Sequence, residues 1–171
     1  LGGTFAVIKT AGKRVDKMIV RKEAAMKCAF GENPKRCYRS SSDSSRMTTA
    51  AKLREMLFKA REYDRKIKAA GDDDSKKPSF DMKLEALLPV IRGELPLKAH
   101  AHATEDIFTA IRIAKEFNVK LTLEHVTEGH LIADELAAEG YPCAVGPSLT
   151  DASKWELRNM TFKTPGILAK K

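Results

Sequence analysis

Cysteine is scarce in this sequence, and the three residues present follow no recognisable pattern. Cys28, Cys37 and Cys143 form no CxxC pair and no disulfide framework, so we interpret them as reduced thiols. Residues 1–12 lack the basic region and the apolar run of a signal peptide. No apolar run approaches the roughly 20 residues that a membrane-spanning helix needs. These absences predict a cytoplasmic protein that has no membrane partner.

Nucleotide-binding motifs are also missing. The sequence contains neither a GxGxxG motif after a strand nor a GxxxxGK[ST] motif, which argues against dinucleotide and P-loop sites. The net charge of +8 comes from lysines and arginines that are interleaved with acids along the whole chain. This pattern favours solvated helix faces over a nucleic-acid interface. A non-catalytic α/β domain that uses its basic surface to bind a partner or nucleic acid stays open as the alternative.

The 171 residues are about one domain in size, and 43% of them are hydrophobic, which is enough for a substantial core. In residues 46–70, apolar residues recur every three or four positions and predict an amphipathic helix. Ser44 or Ser45 is its expected N-cap, and Gly71 fits the position after its end. The apolar run that ends just before Gly31 is too short to distinguish a strand from a helix by period alone.

Two more segments separate this helix from the second half of the chain. Residues 72–79 form a charged loop that we expect to be mobile, and residues 79–92 are predicted to form a second helix. Strands and helices then alternate, which predicts βαβ units with parallel strands in a (β/α) barrel or an open doubly wound sheet. The predicted strands are 95–100, 120–125 and 142–147, and the predicted helices are 104–118, with Thr104 as its cap, and 128–140.

All four histidines of the chain fall within residues 96–130. His100 and His125 end two successive predicted strands, whose C-terminal ends would lie side by side at the edge where barrel enzymes build their active sites. Because neutral imidazole is a favoured ligand for zinc and similar ions, we predict that both histidines bind a metal. His102 could face the same way or contact substrate, and His130 is expected at the surface or behind the ligands.

Two acidic residues near the second of these strand ends deserve comparison. Glu128 is a candidate to orient a ligand histidine or to contact substrate. Glu124 alternates with His125 along the strand, so its side chain is expected to point away from that histidine. The simpler interpretation is that all these residues are hydrogen-bonded polar groups at strand ends.

The motifs LKAHAHATEDI and LTLEHVTEGH resemble the amidohydrolase superfamily, in particular imidazolonepropionases and prolidase-like amidohydrolases. In that family a (β/α) barrel holds one or two divalent metals, and its fifth and sixth strands end in ligand histidines. The resemblance places His100 and His125 at these two positions. The segment AAMKCAFGENP is similar to the fourth strand, with Lys27 at the lysine that becomes a metal-bridging carbamate. An unmodified Lys27, or a carboxylate from Glu32, are the alternatives.

The resemblance implies that residues 1–171 are a fragment of a (β/α)8 TIM-type barrel, roughly strands four to seven, with residues 46–92 as an inserted helical pair. The first-strand histidines and the general-base Asp cannot be placed, because Asp151 follows the seventh strand rather than the eighth. The implied reaction is hydrolysis of an amide, cyclic amide or related C–N bond of a small molecule by metal-activated water, with zinc as the expected metal. We expect the isolated chain to be inactive and its exposed barrel edge to allow a homo-oligomer.

Overall fold

The computed structural model describes residues 1–38 and 45–171 and has a mixed α/β fold. Its sheet contains five strands in the order in which they occur along the chain. β1 is antiparallel to β2, whereas β2 to β5 are parallel to one another. The strand order contains no reversal, so the sheet is consistent with part of an α/β barrel. The strands are β1 (Gly3–Ile8), β2 (Ile19–Ala29), β3 (Leu97–Ala101), β4 (Leu121–His125) and β5 (Cys143–Val145).

Seven α-helices accompany the sheet in the described parts of the chain. They are α1 (Glu32–Cys37), α2 (Arg46–Ala70), α3 (Met82–Glu85), α4 (Leu88–Ile91), α5 (Thr104–Phe117), α6 (Ala133–Glu139) and α7 (Thr164–Leu168). The chain also forms 3₁₀ turns at Val15–Lys17, Asp74–Lys76, Gly129–Leu131 and Trp155–Leu157. Helices α1 to α4 lie in the connection from β2 to β3, which are parallel neighbours and therefore need a crossover. None of the described helices is long and apolar enough to cross a membrane.

The prediction for residues 46–70 is confirmed, because α2 has these bounds. Ser45 is its N-cap and forms a capping box with Thr48, in which each side chain accepts a hydrogen bond from the other residue's backbone N–H. Ser44, the other candidate cap, lies outside the described residues. Gly71 ends the helix with a φ of 55°, a conformation that favours glycine. The expected mobility of the following loop stays a prediction.

Two local predictions are wrong. Residues 79–92 form two short helices instead of one, and Pro89 lies in the first turn of the second. Proline has no N–H to bond the carbonyl of Glu85, and its ring would clash there, so one continuous helix cannot form. Thr104 is the first residue of α5 and not its cap, which is Ala103.

The other predicted helix of this half, residues 128–140, is shorter than expected. The chain first makes the 3₁₀ turn Gly129–Leu131 and enters α6 only at Ala133. Gly140 ends this helix in the left-handed conformation, with a φ of 70°, as the sequence predicts.

The two faces of the sheet differ in chemistry. On one face, Leu97, Ala99 and Leu123 are buried in the hydrophobic core together with apolar residues of α5. On the opposite face, Lys98 forms an ion pair with Glu124. The ammonium groups of Lys98 and Lys27 lie 5.5 and 5.9 Å from the centre of the Phe5 ring. At the C-terminal edge of the sheet, this polar face leads to the histidines at the ends of β3 and β4.

The hairpin of β1 and β2 projects from this core. All six residues of β1 are exposed, as are the first five residues of β2. Large apolar side chains are therefore exposed on this hairpin, among them Val7, Ile8 and Val20. An exposed apolar strand pair is suited to further association, so the expected homo-oligomer stays a prediction.

Candidate metal centre

Three of the four histidines meet at the C-terminal edge of the parallel strands. The ring centres of His100 and His125 are 4.5 Å apart, and the ring of His102 lies 4.6 Å from each. One ring nitrogen of each residue can be chosen so that all three lie within 4.8 Å of one another. Two ligands of a tetrahedral zinc ion lie about 3.4 Å apart. Small rotations of the rings would therefore bring these nitrogens around one ion.

Hydrogen bonds hold two of these imidazoles in place. Nδ1–H of His125 donates to the carbonyl oxygen of Gly146 at 2.7 Å, which leaves Nε2 as the candidate ligand atom. Nδ1 of His102 lies 2.7 Å from the hydroxyl oxygen of Thr127, and donation to this oxygen likewise leaves Nε2 as the ligand atom. Such partners of the second ring nitrogen are typical of histidines that bind metal.

The third imidazole has an adaptable partner. Nε2 of His100 lies 3.1 Å from the side-chain amide of Asn33 in α1. Because this amide presents either its nitrogen or its oxygen when it turns by 180°, it fits both neutral tautomers of His100. If Nε2–H donates to the amide oxygen, Nδ1 of His100 is available as a metal ligand.

His100 and His102 are neutral at physiological pH. Burial, together with the charges that His125 and the other neighbours would carry, lowers the pKa of His100 to about 3. The same causes lower the pKa of His102 to about 4. Both side chains are almost completely buried. Metal binding needs the unprotonated ring, so these two residues fit a divalent metal in protonation state, and all three histidines fit it in geometry.

His125 enters the cluster through an unusual backbone conformation. In the register of β3 and β4, Glu124 lies opposite His100, whereas His125 lies opposite Ala101. Strict alternation would therefore place His125 on the other face of the sheet. Instead, His125 and Val126 have φ values of 74° and 48°, which turn the end of the strand. Non-glycine residues in this region are strained, and such strain is concentrated at functional sites.

Lys27 and Glu32 lie beside the histidine cluster but not in it. Lys27 is half-buried on β2, and burial lowers the pKa of its ammonium group. Its charge is close enough to depress the pKa values of His100 and His102. The Glu32 carboxylate accepts a hydrogen bond from the backbone of Glu156 at 3.1 Å. The proposed roles of Lys27 and Glu32 in metal binding remain predictions.

The other candidate residues from the sequence have hydrogen-bond partners outside the three-histidine cluster. Glu128 is buried and accepts hydrogen bonds from the backbone and hydroxyl of Thr104 and from the amide of Asn159. Its carboxylate thus supports the start of α5, and its proposed role in orienting a ligand histidine or contacting substrate stays a prediction. His130 is half-buried, with Nδ1 3.0 Å from the hydroxyl of Thr164. Glu124 points to Lys98 rather than to His125, as the alternation along β4 predicts.

A groove of about 720 Å³ adjoins the cluster on the β1 side of β2. Lys27 and Asn33 line it, together with apolar residues of α2 such as Leu53 and Met56. Asn33 therefore faces the groove and also contacts His100. This places an open, largely apolar space next to the candidate metal centre.

Sequence reasoning missed Glu156, although it is the buried carboxylate near the histidines. Its Oε1 lies 3.9 Å from Nε2 of His102, and its side chain is fully buried. In the sequence, Glu156 follows Trp155 and precedes Leu157, and an acid between two apolar residues is only a weak signal for a buried site. The 3₁₀ turn that positions it could not be read from that pattern.

The fold and the three imidazoles define an α/β protein with a candidate divalent-metal centre at the C-terminal edge of parallel strands. The chain is similar to the crystal structure of an amidohydrolase from Thermotoga maritima MSB8, with 40% sequence identity and a TM-score of 0.94. The match covers 98% of this chain and 44% of that protein, so the chain spans less than half of its length. No protein-family model and no curated protein sequence matches the chain. The likeness supports the amidohydrolase resemblance without distinguishing a subfamily.

Proposed function

We propose that this chain carries part of the metal centre of an amidohydrolase that hydrolyses an amide, a cyclic amide or a related C–N bond. The observation that carries the proposal is the cluster of His100, His102 and His125, whose ligand nitrogens lie within 4.8 Å of one another. Among the described residues it is the one group of three or more potential ligands of this kind. The similarity to the Thermotoga amidohydrolase supports the reaction class.

In this proposal the three imidazoles hold a divalent metal, with zinc as the first candidate because all the ligands are nitrogen atoms. A bound metal would act as a Lewis acid toward the scissile carbonyl and would lower the pKa of a water molecule. Gly146 accepts a hydrogen bond from His125, and Thr127 can accept one from His102, so that Nε2 of each ring can bind the metal. Burial and the neighbouring positive charges keep His100 and His102 neutral.

Further elements of the proposal rest on the family resemblance. Lys27 could complete a second metal position after carbamylation, because its lowered pKa favours the neutral amine that reacts with carbon dioxide. The substrate would be a small molecule, and its binding groove would include the space lined by Lys27 and Asn33. The general base and further ligands would be contributed by residues that this chain does not contain. An imidazolonepropionase-like or prolidase-like enzyme in the cytoplasm is the specific candidate.

Metal affinity tests this function directly. The purified protein is stripped with a chelator and titrated with Zn²⁺ in competition with a chromophoric chelator. We expect His100→Ala and His125→Ala to weaken zinc binding by at least about 100-fold, since loss of a hydrogen-bonding partner of a ligand alone weakens it 10- to 100-fold. His130→Ala is the matched control, because it removes a histidine outside the cluster.

If His100→Ala and His125→Ala bind Zn²⁺ with the same affinity as His130→Ala, the proposed metal centre is refuted. Salt-sensitive binding of nucleic acid by a protein that takes up no metal would instead favour the non-catalytic binding domain. Because this chain is expected to be inactive by itself, the proposed reaction is tested with a protein that carries this segment together with the general base and the further ligands. The assay measures release of a new carboxylate from a panel of linear and cyclic amides, with the chelated protein as its control.

A further inference from the structure

Glu156 joins two distant parts of the chain. The backbone N–H of Glu32 donates to Oε2 of Glu156 at 2.8 Å, and the backbone N–H of Glu156 donates to Oε1 of Glu32 at 3.1 Å. The two residues are 124 positions apart in sequence. This reciprocal pair fastens the turn after β5 to the start of α1, so the position of each segment depends on the other.

Burial raises the pKa of the Glu156 carboxyl, and its hydrogen-bond and ion-pair partners offset only part of this effect. Lys154 and Arg46 lie 3.4 and 3.8 Å from its two oxygens. Gly31 leaves the space that the carboxylate occupies, because a β-carbon there would overlap Oε2 of Glu156. A buried charge without partners is strongly destabilising, so this combination of cations, backbone donors and space indicates a dedicated site for the side chain.

Glu156 also lies near His102 and is linked indirectly to His100. Its Oε1 is 3.9 Å from Nε2 of His102, which is beyond hydrogen-bond distance. The residue that Glu156 holds, Glu32, directly precedes Asn33, whose amide contacts His100. One carboxylate is therefore connected to a candidate ligand through α1.

We propose that Glu156 is a positioning residue of the metal centre, which sets the placement of His100 through Glu32 and Asn33. This inference rests on the proposed function, because it assumes that the three imidazoles bind a divalent metal. Glu156 lies outside the sheet, so the histidines at the strand ends do not by themselves indicate this role.

The test compares Glu156→Gln with Asp64→Asn. Asp64 is also buried and accepts a hydrogen bond from Arg92 at 2.8 Å, and its ion-pair partners, Arg92 and Lys68, differ from those of Glu156. Zn²⁺ affinity is measured by chelator competition, and the visible absorption spectrum of the Co²⁺-loaded protein reports the coordination geometry. Thermal unfolding of the metal-free variants measures any loss of stability separately.

We expect Glu156→Gln to weaken Zn²⁺ binding by about 10- to 100-fold and to alter the Co²⁺ spectrum, while Asp64→Asn leaves both unchanged. If Glu156→Gln does not fold, Glu32→Ala takes its place, because it removes the acceptor for the Glu156 N–H and leaves the carboxylate of Glu156 intact. Equal affinities and identical spectra in the Glu156, Glu32 and Asp64 variants would overturn the inference. Failure of the unsubstituted protein to bind Zn²⁺ or Co²⁺ would instead refute the proposed function itself.

Discussion

A substitution at Gly31 tests whether the Glu156 carboxylate is held rigidly in its place. Gly31 has φ and ψ values of 77° and −142°, a region that is essentially restricted to glycine. A β-carbon at this position would overlap Oε2 of Glu156 and lie 3.0 Å from Oδ2 of Asp106. Gly31→Ala therefore imposes both backbone strain and displacement of a buried carboxylate.

Gly71 provides a matched control, because it has a similar backbone conformation but open surroundings. Its φ and ψ values are 55° and −126°, and a β-carbon there would meet no atom within 4 Å. Gly71→Ala should therefore show the strain alone, which is about 1–3 kcal/mol. Gly31→Ala should show a similar backbone strain. It should also lose the hydrogen bond that the Glu32 N–H donates to the Glu156 carboxylate, which costs about 1.5–3 kcal/mol of stability. We expect the two variants to differ by about 2 kcal/mol.

Urea unfolding monitored by far-ultraviolet circular dichroism measures this difference. For a slope of about 2 kcal/mol per molar urea, the midpoint of Gly31→Ala should lie about 1 M below that of Gly71→Ala. Coincident midpoints with equal slopes would refute the reasoning, since they would show that the carboxylate can move aside freely. The same outcome would weaken the case for Glu156 as a positioning residue.

Two further predictions concern pH and a buried ion pair. An unfolded histidine titrates near about 6.5, whereas His100 and His102 have pKa values of about 3 and 4 in the fold. As the pH falls below 6.5 the unfolded chain therefore binds protons first, and the free energy of unfolding of the metal-free protein should decrease down to about pH 4. Urea unfolding at several pH values across this range measures the free energy of unfolding. Its dependence on pH should be weaker when both residues are replaced by Asn, and an unchanged dependence would count against buried neutral rings. Separately, Asp64 is buried between Arg92 at 2.8 Å and Lys68 at 2.6 Å, and Arg92 is much less exposed than Lys68. Arg92→Met should therefore lower the thermal midpoint more than Lys68→Met, and the reverse order would contradict this assignment.

Local sequence patterns predicted much of the secondary structure. The bounds of α2 follow from its apolar period, with Ser45 before it and Gly71 after it. The strands β3 and β4 were visible as short apolar runs that end in His100 and His125. These features depend on residues within a few positions of one another, so the sequence alone carries the information. The break at Pro89 was also visible in principle, because proline cannot sit in the interior of a helix.

The metal centre was predicted only in part. The parallel arrangement of β3 and β4 brings the strand ends that carry His100 and His125 to the same edge, as the general geometry of βαβ units predicts. The sequence left open whether His102 joins them, and the structure brings its ring within 4.6 Å of both. The positive φ values at His125 and Val126, which turn the His125 side chain toward the cluster, had no local signal.

The sequence by itself determined the periodic helices, the strand ends and the residue types that can bind a metal, because each of these depends on short-range pattern and chemistry. Only the tertiary structure decided which of those residues meet. It joined Glu156 to Glu32 across the fold and set the tautomers of the histidines through Thr127 and Gly146. The physical reason is that such contacts depend on the packing of elements far apart along the chain, which no local period encodes.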